Sequence, residues 1–172
     1  NDVLPHVPHV CFKVPTGGGK TLLGCAALRH IFSGMGIEKN RAVVWLVPSN
    51  AILEQTLAAL KDAEHPYRQQ LNFDFGSCVE VLDGTQALNA QNKDGRRVYR
   101  ENGNLAQFVP HYTLHDTLLP DVDETALIQV INQLSPVVIV DESHNAKSNL
   151  SIEMQKNLNP SFVLDLTATP KE

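Results

Sequence analysis

Short apolar runs alternate along the chain with segments in which apolar residues recur every three or four positions. The apolar runs, each of the length of a β-strand, are residues 10–14, 42–47, 77–82, 137–140 and 162–166. The segments with helical periodicity are residues 20–32, the stretch that follows Ser49, and residues 127–134. Strands that alternate with helices predict an α/β fold, in which a mainly parallel sheet carries helices on both faces in a three-layer arrangement.

Two of the predicted strands are unbroken apolar runs rather than alternating ones. Residues 42–47 and 137–140 are typical of parallel strands that are covered on both faces. Ser49, a favourable N-cap residue, follows the first of them. Polar clusters follow four of the strands, at residues 15–17, 48–50, 141–144 and 167–169. Because the carboxyl ends of parallel strands meet at one edge of a sheet, we expect all four clusters to lie along that edge.

One long stretch does not fit this alternation. Residues 88–105 contain no apolar run long enough for a strand or a core helix, and a compact domain seldom carries such a stretch. The stretch is either a surface excursion or a place where residues are missing, and we predict missing residues near positions 89–92. The length otherwise predicts a single domain over residues 1–172.

A glycine-rich turn joins the first predicted strand to the first helix. Glycines let backbone N–H groups turn inward around anionic oxygens, and the helix N-terminus adds further donors. Lys20 can place its ammonium group on the outer phosphates of a nucleotide, and Thr21 can offer its hydroxyl to Mg²⁺. Val14 stands where the phosphate-loop pattern begins with glycine or another small residue. The candidate nucleotide-binding residues are Thr16, Gly17, Gly18, Gly19, Lys20 and Thr21.

Two carboxylates, Asp141 and Glu142, follow the most apolar run of the chain. Acids at the end of a buried strand are unfavourable unless a cation or hydrogen bonds compensate them, and Mg²⁺ held by nucleotide phosphates is the natural cation. Asp141 is the candidate metal ligand, and Glu142 is the candidate base for the attacking water. Lys20, Asp141 and Glu142 are thus the candidate catalytic residues. His144 is a candidate sensor of the γ-phosphate.

The composition excludes several classes of protein. The chain has 14 Lys and Arg against 19 Asp and Glu, which gives a net charge of −5. It therefore cannot bind nucleic acid through overall positive charge alone. No apolar run approaches the roughly 20 residues that a membrane span needs, and the N-terminus lacks the features of a signal peptide. Its 3 cysteines are widely spaced and form no disulfide framework, so we expect a reducing, cytoplasmic location.

Four motifs in order make the chain resemble the first motor domain of superfamily 2 helicases and translocases. Residues 15–21 match motif I, residues 48–55 match motif Ia, residues 141–144 match the DExH form of motif II, and residues 167–170 match motif III. The resemblance spans residues 10–170. It is strongest to the helicase domain of type III restriction-enzyme Res subunits and related DEAD/DEAH-family proteins.

The resemblance implies a RecA-like P-loop NTPase fold and an ATPase that moves on or remodels nucleic acid, with DNA favoured over RNA. ATP and Mg²⁺ are the implied cofactors. Motif Ia of the family touches the backbone of the bound strand, which points to Ser49 and Gln55. Motif III couples hydrolysis to strand handling, which points to Thr167 and Thr169, together with His144. Asn50 occupies a position where the family often has arginine.

The resemblance also implies partners for the chain. The second RecA-like domain of the family supplies an arginine finger, and such a finger contributes about 10³–10⁵ in rate in related phosphoryl transfer. This second domain is not part of the sequence, so we expect the chain alone to bind nucleotide and to hydrolyse it weakly. A nuclease or methyltransferase partner and a role in restriction or defence are further expectations. No membrane partner is expected.

Two alternatives to a motor remain open at the level of sequence. The first is a nucleotide-gated scaffold that binds nucleic acid with the same fold and separates no strands. The second is a P-loop kinase or another small-molecule phosphotransferase, against which motif Ia and the Thr167-Ala168-Thr169 element argue. Binding of DNA or RNA that depends on salt and changes with ATP separates the motor from the scaffold.

Overall fold

A four-stranded parallel sheet forms the centre of the molecule. The computed structural model of the chain describes residues 4–83, 98–142 and 149–168. The strands of the sheet are β1 His9–Lys13, β2 Val43–Leu46, β3 Val137–Asp141 and β4 Phe162–Thr167. They lie side by side in the order β1-β4-β3-β2, and each neighbouring pair is parallel. The two most buried strands, β3 and β4, therefore occupy the middle.

Helices connect and cover these strands. The α-helices are α1 Lys20–Gly34, α2 Asn50–Lys61, α3 Pro66–Phe75, α4 Leu127–Leu134 and α5 Asn149–Asn157. Helices of the 3₁₀ type span Gly103–His111 and His115–Thr117. The first helix ends where the glycines predict, with Met35 as its C-cap and Gly36 in the left-handed region at φ 67°.

Each face of the sheet carries its own core. On one face, α1, α2 and α3 pack against side chains of β3 and β4, with Cys25, Ile139 and Leu166 completely buried. On the other face, α4 and α5 pack around Val138 and Val163. This arrangement confirms the three-layer α/β fold with a parallel sheet.

The run at residues 77–82 is not a strand, and the prediction of a strand there was wrong. Val79 and Val81 turn toward the first core and the intervening residues face solvent, so the period of two that suggested a strand is present. These residues join no strand of the sheet that the structure describes, and the Val79 carbonyl instead accepts a hydrogen bond from Arg68 Nη2 at 2.8 Å. A side chain thus binds a group that a neighbouring strand would use.

The strand at residues 42–47 forms, but the prediction that both its faces are covered was wrong in part. Its structured part, β2, lies at the edge of the sheet and pairs with β3. Val43 at its start is 37% exposed. An unbroken apolar run indicates a parallel strand, but it does not tell a central strand from an edge strand.

The long connection before α4 is organised by buried amide side chains of that helix. The Gln129 side chain donates to the Leu119 and Val122 carbonyls at 2.9 and 3.0 Å, and its oxygen accepts from the Leu119 N–H. Asn132 donates to the Thr117 carbonyl at 2.9 Å. These hydrogen bonds hold the backbone of the connection in place, although its described residues form no strand. The predicted gap at 89–92 lies outside the described residues.

Candidate active site at the carboxyl ends of the strands

The glycine-rich turn lies between β1 and α1, as the sequence predicts, and it is exposed to solvent. Gly17 and Gly19 adopt left-handed backbone conformations, with φ of 79° and 77°. Gly19 is the N-cap of α1, and no side chain caps that end of the helix. The first N–H groups of α1 therefore face the open side of the turn, where an anion can accept from them.

Gly18 is required for a steric reason rather than for its dihedral angles. A Cβ atom at this position would lie 2.6 Å from Val14 Cγ1 and 2.9 Å from the Pro15 carbonyl oxygen. The Gly18 N–H donates to that same carbonyl at 2.8 Å. Val14, which departs from the small residue of the usual pattern, thus closes the base of the turn against Gly18.

The turn and the acidic pair meet through an ion pair between Lys20 and Glu142. Lys20 Nζ donates to Glu142 Oε1 across 122 positions of sequence. Both side chains are largely shielded, with 10% and 24% of their surfaces exposed. Glu142 has a φ of 50°, an uncommon value for a residue with a side chain, and such conformations cluster at functional sites.

Asp141 ends β3 and is 7% exposed. Burial raises the pKa of its carboxyl above the ordinary aspartate value, and the negative charge of Glu142 acts in the same direction. The Glu142 N–H, which donates to Asp141 Oδ1 at 2.9 Å, opposes the rise in pKa, as do Lys20 and the Trp45 side chain. A buried carboxylate in this position gains from a nearby cation.

The end of β4 is tied directly to the start of the glycine-rich turn. The Val14 N–H donates to the Thr167 carbonyl at 3.0 Å, and the Thr167 side chain is buried. Asp165, on the same strand, is also buried, and its Oδ2 lies 2.6 Å from His9 Nε2 on β1. The sequence did not indicate this pair, because it depends on the side-by-side position of β1 and β4.

Ser49 and Gln55, the residues predicted from motif Ia, both lie at the surface. Ser49 is exposed and caps α2, as predicted, with its hydroxyl accepting from the Ile52 N–H at 3.4 Å. Gln55 is exposed on the same helix. In the described part of the chain, neither side chain hydrogen-bonds to the lysine or the acids of the site. His144 and Thr169 lie outside the described residues.

The remaining predicted residues of the turn lie where the sequence puts them. Thr16 is exposed in the turn, and Thr21 is half-buried in the first turn of α1. The structure therefore brings Lys20, Asp141 and Glu142 to one place. Trp45 was not among the predicted site residues, although its side chain lowers the pKa of the Asp141 carboxyl.

The motif arrangement agrees with a match of the whole sequence to a protein family. The family described as "Type III restriction enzyme, res subunit" matches residues 5–172. The chain belongs to this family. Its members carry a helicase-like ATPase motor domain, and the α/β architecture with a parallel sheet is consistent with the RecA-like P-loop fold of that family. No curated protein matches the chain. Among the described helices, none has the length and apolar character to cross a membrane.

Proposed function

We propose that the chain is the ATP-binding motor domain of a nucleic-acid-dependent ATPase, which hydrolyses ATP to drive movement on DNA or RNA. The observation that carries this proposal is the Lys20–Glu142 ion pair. It joins a glycine-rich turn suited to phosphate with an acidic pair suited to a metal ion. An accidental glycine-rich turn has no reason to meet two acids from a distant strand.

The side chains fit ATP and Mg²⁺ by their chemistry. The N–H groups of Gly17 and Gly19 and the Lys20 ammonium suit phosphate oxygens, while Thr16 flanks the same turn. Gly18, whose N–H donates to the Pro15 carbonyl, keeps the turn closed at its base. The Thr21 hydroxyl and the Asp141 carboxylate are oxygen donors of the kind that Mg²⁺ prefers. The turn is open to solvent, so phosphate groups can reach it, and the buried Asp141 carboxylate gains from a nearby cation. Bound Mg²⁺ would neutralise charge on the transferred phosphoryl group.

Glu142 acts as the general base in this proposal. Its carboxylate accepts a proton from the attacking water while the water oxygen bonds to the γ-phosphorus and the bond to the ADP oxygen breaks. Lys20 first exchanges the Glu142 carboxylate for phosphate oxygens, which frees the base at the moment of nucleotide binding. The ion pair is therefore the resting arrangement of the two catalytic side chains.

Coupling to nucleic acid is assigned to residues that follow β2, β3 and β4 or end those strands. Thr167 is a coupling residue, and its carbonyl bond to Val14 gives β4 a direct link to the turn. His144 and Thr169 extend this coupling set. Ser49 and Gln55 contact the backbone of the bound strand, with DNA favoured over RNA. A second RecA-like domain provides the arginine finger, so the chain alone is a weak ATPase.

The family match and the cysteine content also bear on the partners and the location of the protein. The family match supports a nuclease or methyltransferase as partner and a role in restriction or defence. Three cysteines without a disulfide framework support a reducing, cytoplasmic location, and no membrane partner is proposed.

A nucleotide-gated nucleic-acid-binding scaffold is the second candidate. The observation that favours it is the engagement of Glu142 by Lys20, because a base held in this ion pair is not available to water until Lys20 exchanges partners. In a scaffold, the exchange of partners at Lys20 would change the affinity for nucleic acid without sustained turnover.

The test measures binding and turnover together. Labelled single-stranded DNA and RNA are titrated with the chain by fluorescence anisotropy at several salt concentrations, with and without ATP, while phosphate release is followed. A motor shows salt-dependent binding that changes with ATP, together with hydrolysis that nucleic acid stimulates. ATP-dependent binding without stimulated hydrolysis, even with the second motor domain present, favours the scaffold. Absence of any effect of ATP contradicts both.

A further inference from the structure

Trp45 and Asp141 project from the same face of neighbouring strands. Trp45 on β2 is opposite Ile139 on β3 in the parallel register. Asp141 lies two residues beyond Ile139, and alternate residues of a strand share a face. Trp45 packs against the core that contains Ile139 and Leu166, which is the face of the sheet covered by α1.

The indole N–H of Trp45 is buried and has no hydrogen-bond partner among the described residues. A buried N–H group without a partner is unfavourable, and a buried tryptophan usually finds an acceptor. The Trp45 side chain lies close enough to the Asp141 carboxylate to lower its pKa, although the two groups do not reach full hydrogen-bonding geometry. Hydrogen bonds around catalytic groups often shorten only when the ligand binds.

The ring of Trp45 is held in place by the helix that carries Lys20. Gly24 lies four residues after Lys20 on α1 and is buried. A Cβ atom at Gly24 would lie 3.1 Å from Trp45 Cη2 and 3.1 Å from Leu166 Cδ1. Glycine inside a helix is less favourable than alanine by about 1 kcal/mol, so its presence here indicates that the space is needed. The indole packs into that space against α1.

We propose that Trp45 is a positioning residue, whose indole N–H donates to the Asp141 carboxylate and fixes its orientation toward the metal ion of a bound nucleotide. This inference rests on the proposed ATPase function. It assigns to β2 a part in the metal site, in addition to its position before motif Ia. Partners of this kind, which hold a metal ligand without touching the metal, contribute strongly to metal affinity.

The test replaces Trp45 with benzothienylalanine, an isostere in which sulfur stands in place of the indole N–H. Trp45 is the only tryptophan of the chain, so growth of a tryptophan auxotroph on the analogue changes this position alone. ATP affinity is measured by calorimetry in Mg²⁺ and in EDTA, and the ratio of the two affinities gives the contribution of the metal. We expect an affinity about 10-fold lower in Mg²⁺ and an unchanged affinity in EDTA. Wild-type affinity in Mg²⁺ overturns the proposal.

A second variant separates positioning from packing. Trp45→Phe also removes the N–H but makes the ring smaller, and thermal unfolding without nucleotide reports the loss of packing. A positioning role lowers the ratio of the two ATP affinities in both the analogue and Trp45→Phe. A role in packing alone lowers the unfolding temperature of Trp45→Phe and leaves the ratio at its wild-type value, which overturns the proposal.

The same measurement distinguishes failure of this inference from failure of the proposed function. Lys20→Ala is included, and the proposed function requires it to weaken ATP binding both in Mg²⁺ and in EDTA. If Lys20→Ala weakens ATP binding while the benzothienylalanine protein binds ATP like the wild type, only the proposed role of Trp45 is wrong. If Lys20→Ala binds ATP as tightly as the wild type, the nucleotide site falls, and the role of Trp45 falls with it.

Discussion

Two regions at the same edge of the sheet differ in how the fold holds their polar side chains. At or beyond the ends of β1 and β3, Lys20, Asp141 and Glu142 are shielded from solvent. Lys20 pairs with Glu142 over a long sequence separation, and the Glu142 N–H donates to the Asp141 carboxylate. After β2, Ser49 and Gln55 are exposed, and Ser49 serves its own helix as a cap. The first region is held in place by its own hydrogen bonds and ion pair, whereas the second is an exposed surface, which we propose to contact the bound strand.

This difference indicates which region needs precisely placed side chains. A transferring phosphoryl group needs donors and acceptors in fixed positions, because catalysis here depends on orientation and charge. A nucleic-acid backbone is repetitive and flexible, so a surface that tracks it tolerates looser placement. Variants in the first region should therefore have larger effects than variants in the second.

The largest effect is expected for Glu142→Gln. Removal of the base should lower turnover by about 10³-fold, within the range for general acid–base catalysis, and leave ATP affinity within a few-fold of the wild type. Phosphate release is measured with the second motor domain and nucleic acid present. Glu38→Gln, at an exposed position, is the control and should match the wild type. Preserved turnover in Glu142→Gln would remove Glu142 as the base.

Lys20→Ala is expected to have the next largest effect. Loss of charge-assisted hydrogen bonds to phosphate should weaken ATP binding by roughly 10–100-fold. Calorimetry gives the affinity, and Lys39→Ala, which removes an exposed lysine beyond α1, is the matched control. Equal loss in both variants would mean that net charge, rather than the site, determines affinity.

Asp141→Asn should stabilise the nucleotide-free protein by about 1 kcal/mol, because it removes a buried negative charge at a functional position. The sign follows from the raised pKa of Asp141. The folded state holds this proton more tightly than the unfolded state, so stability falls as pH rises from about 4, the ordinary aspartate pKa, through the raised value, and stays lower above it.

The asparagine variant should lack this fall in stability between acid and neutral pH. Urea unfolding at a series of pH values measures the difference between variant and wild type. Asp121→Asn, at an exposed carboxylate, should show no such difference and serves as the control. A variant that is less stable than the wild type at neutral pH would contradict the account of a buried charge that awaits a cation.

The smallest effects are expected in the exposed region. Gln55→Ala should weaken nucleic-acid binding by roughly 5-fold, the value of one neutral hydrogen bond, with ATP affinity unchanged. Ser49→Ala should in addition lower the stability of the fold by about 1 kcal/mol, because it removes the cap of α2. Ser49→Asn keeps a capping group and is the control for that loss. A larger effect on ATP binding than on nucleic-acid binding would reverse the comparison between the regions.

Local pattern predicted the four strands of the sheet and the helices α1, α2 and α4, but it did not predict α3 and α5. The buried run of β3 and the helical period of α1 are visible in the sequence because burial and periodicity are local properties. The segment at residues 77–82 has a strand pattern, but strand pairing depends on neighbours from other elements, and here Arg68 of α3 binds the Val79 carbonyl. The edge position of β2 likewise depends on the order of strands, which no local pattern encodes.

The residues of the candidate site that belong to sequence motifs could be predicted. The sequence placed Lys20 and Glu142 at strand ends of one sheet, and the parallel topology brings them together. Their chemical roles remain predictions. The approach of Trp45 to Asp141 could not be foreseen, because it follows from the register of β2 on β3 and from the space at Gly24.

The most direct test of the central claim is a crystal structure of the chain with Mn²⁺ and a non-hydrolysable ATP analogue. The account predicts one anomalous peak for Mn²⁺ between the Thr21 hydroxyl and the Asp141 carboxylate, in direct contact or through one water. It also predicts Lys20 on the outer phosphates and released from Glu142. A metal peak away from Asp141, or phosphates bound outside the glycine-rich turn, would contradict it.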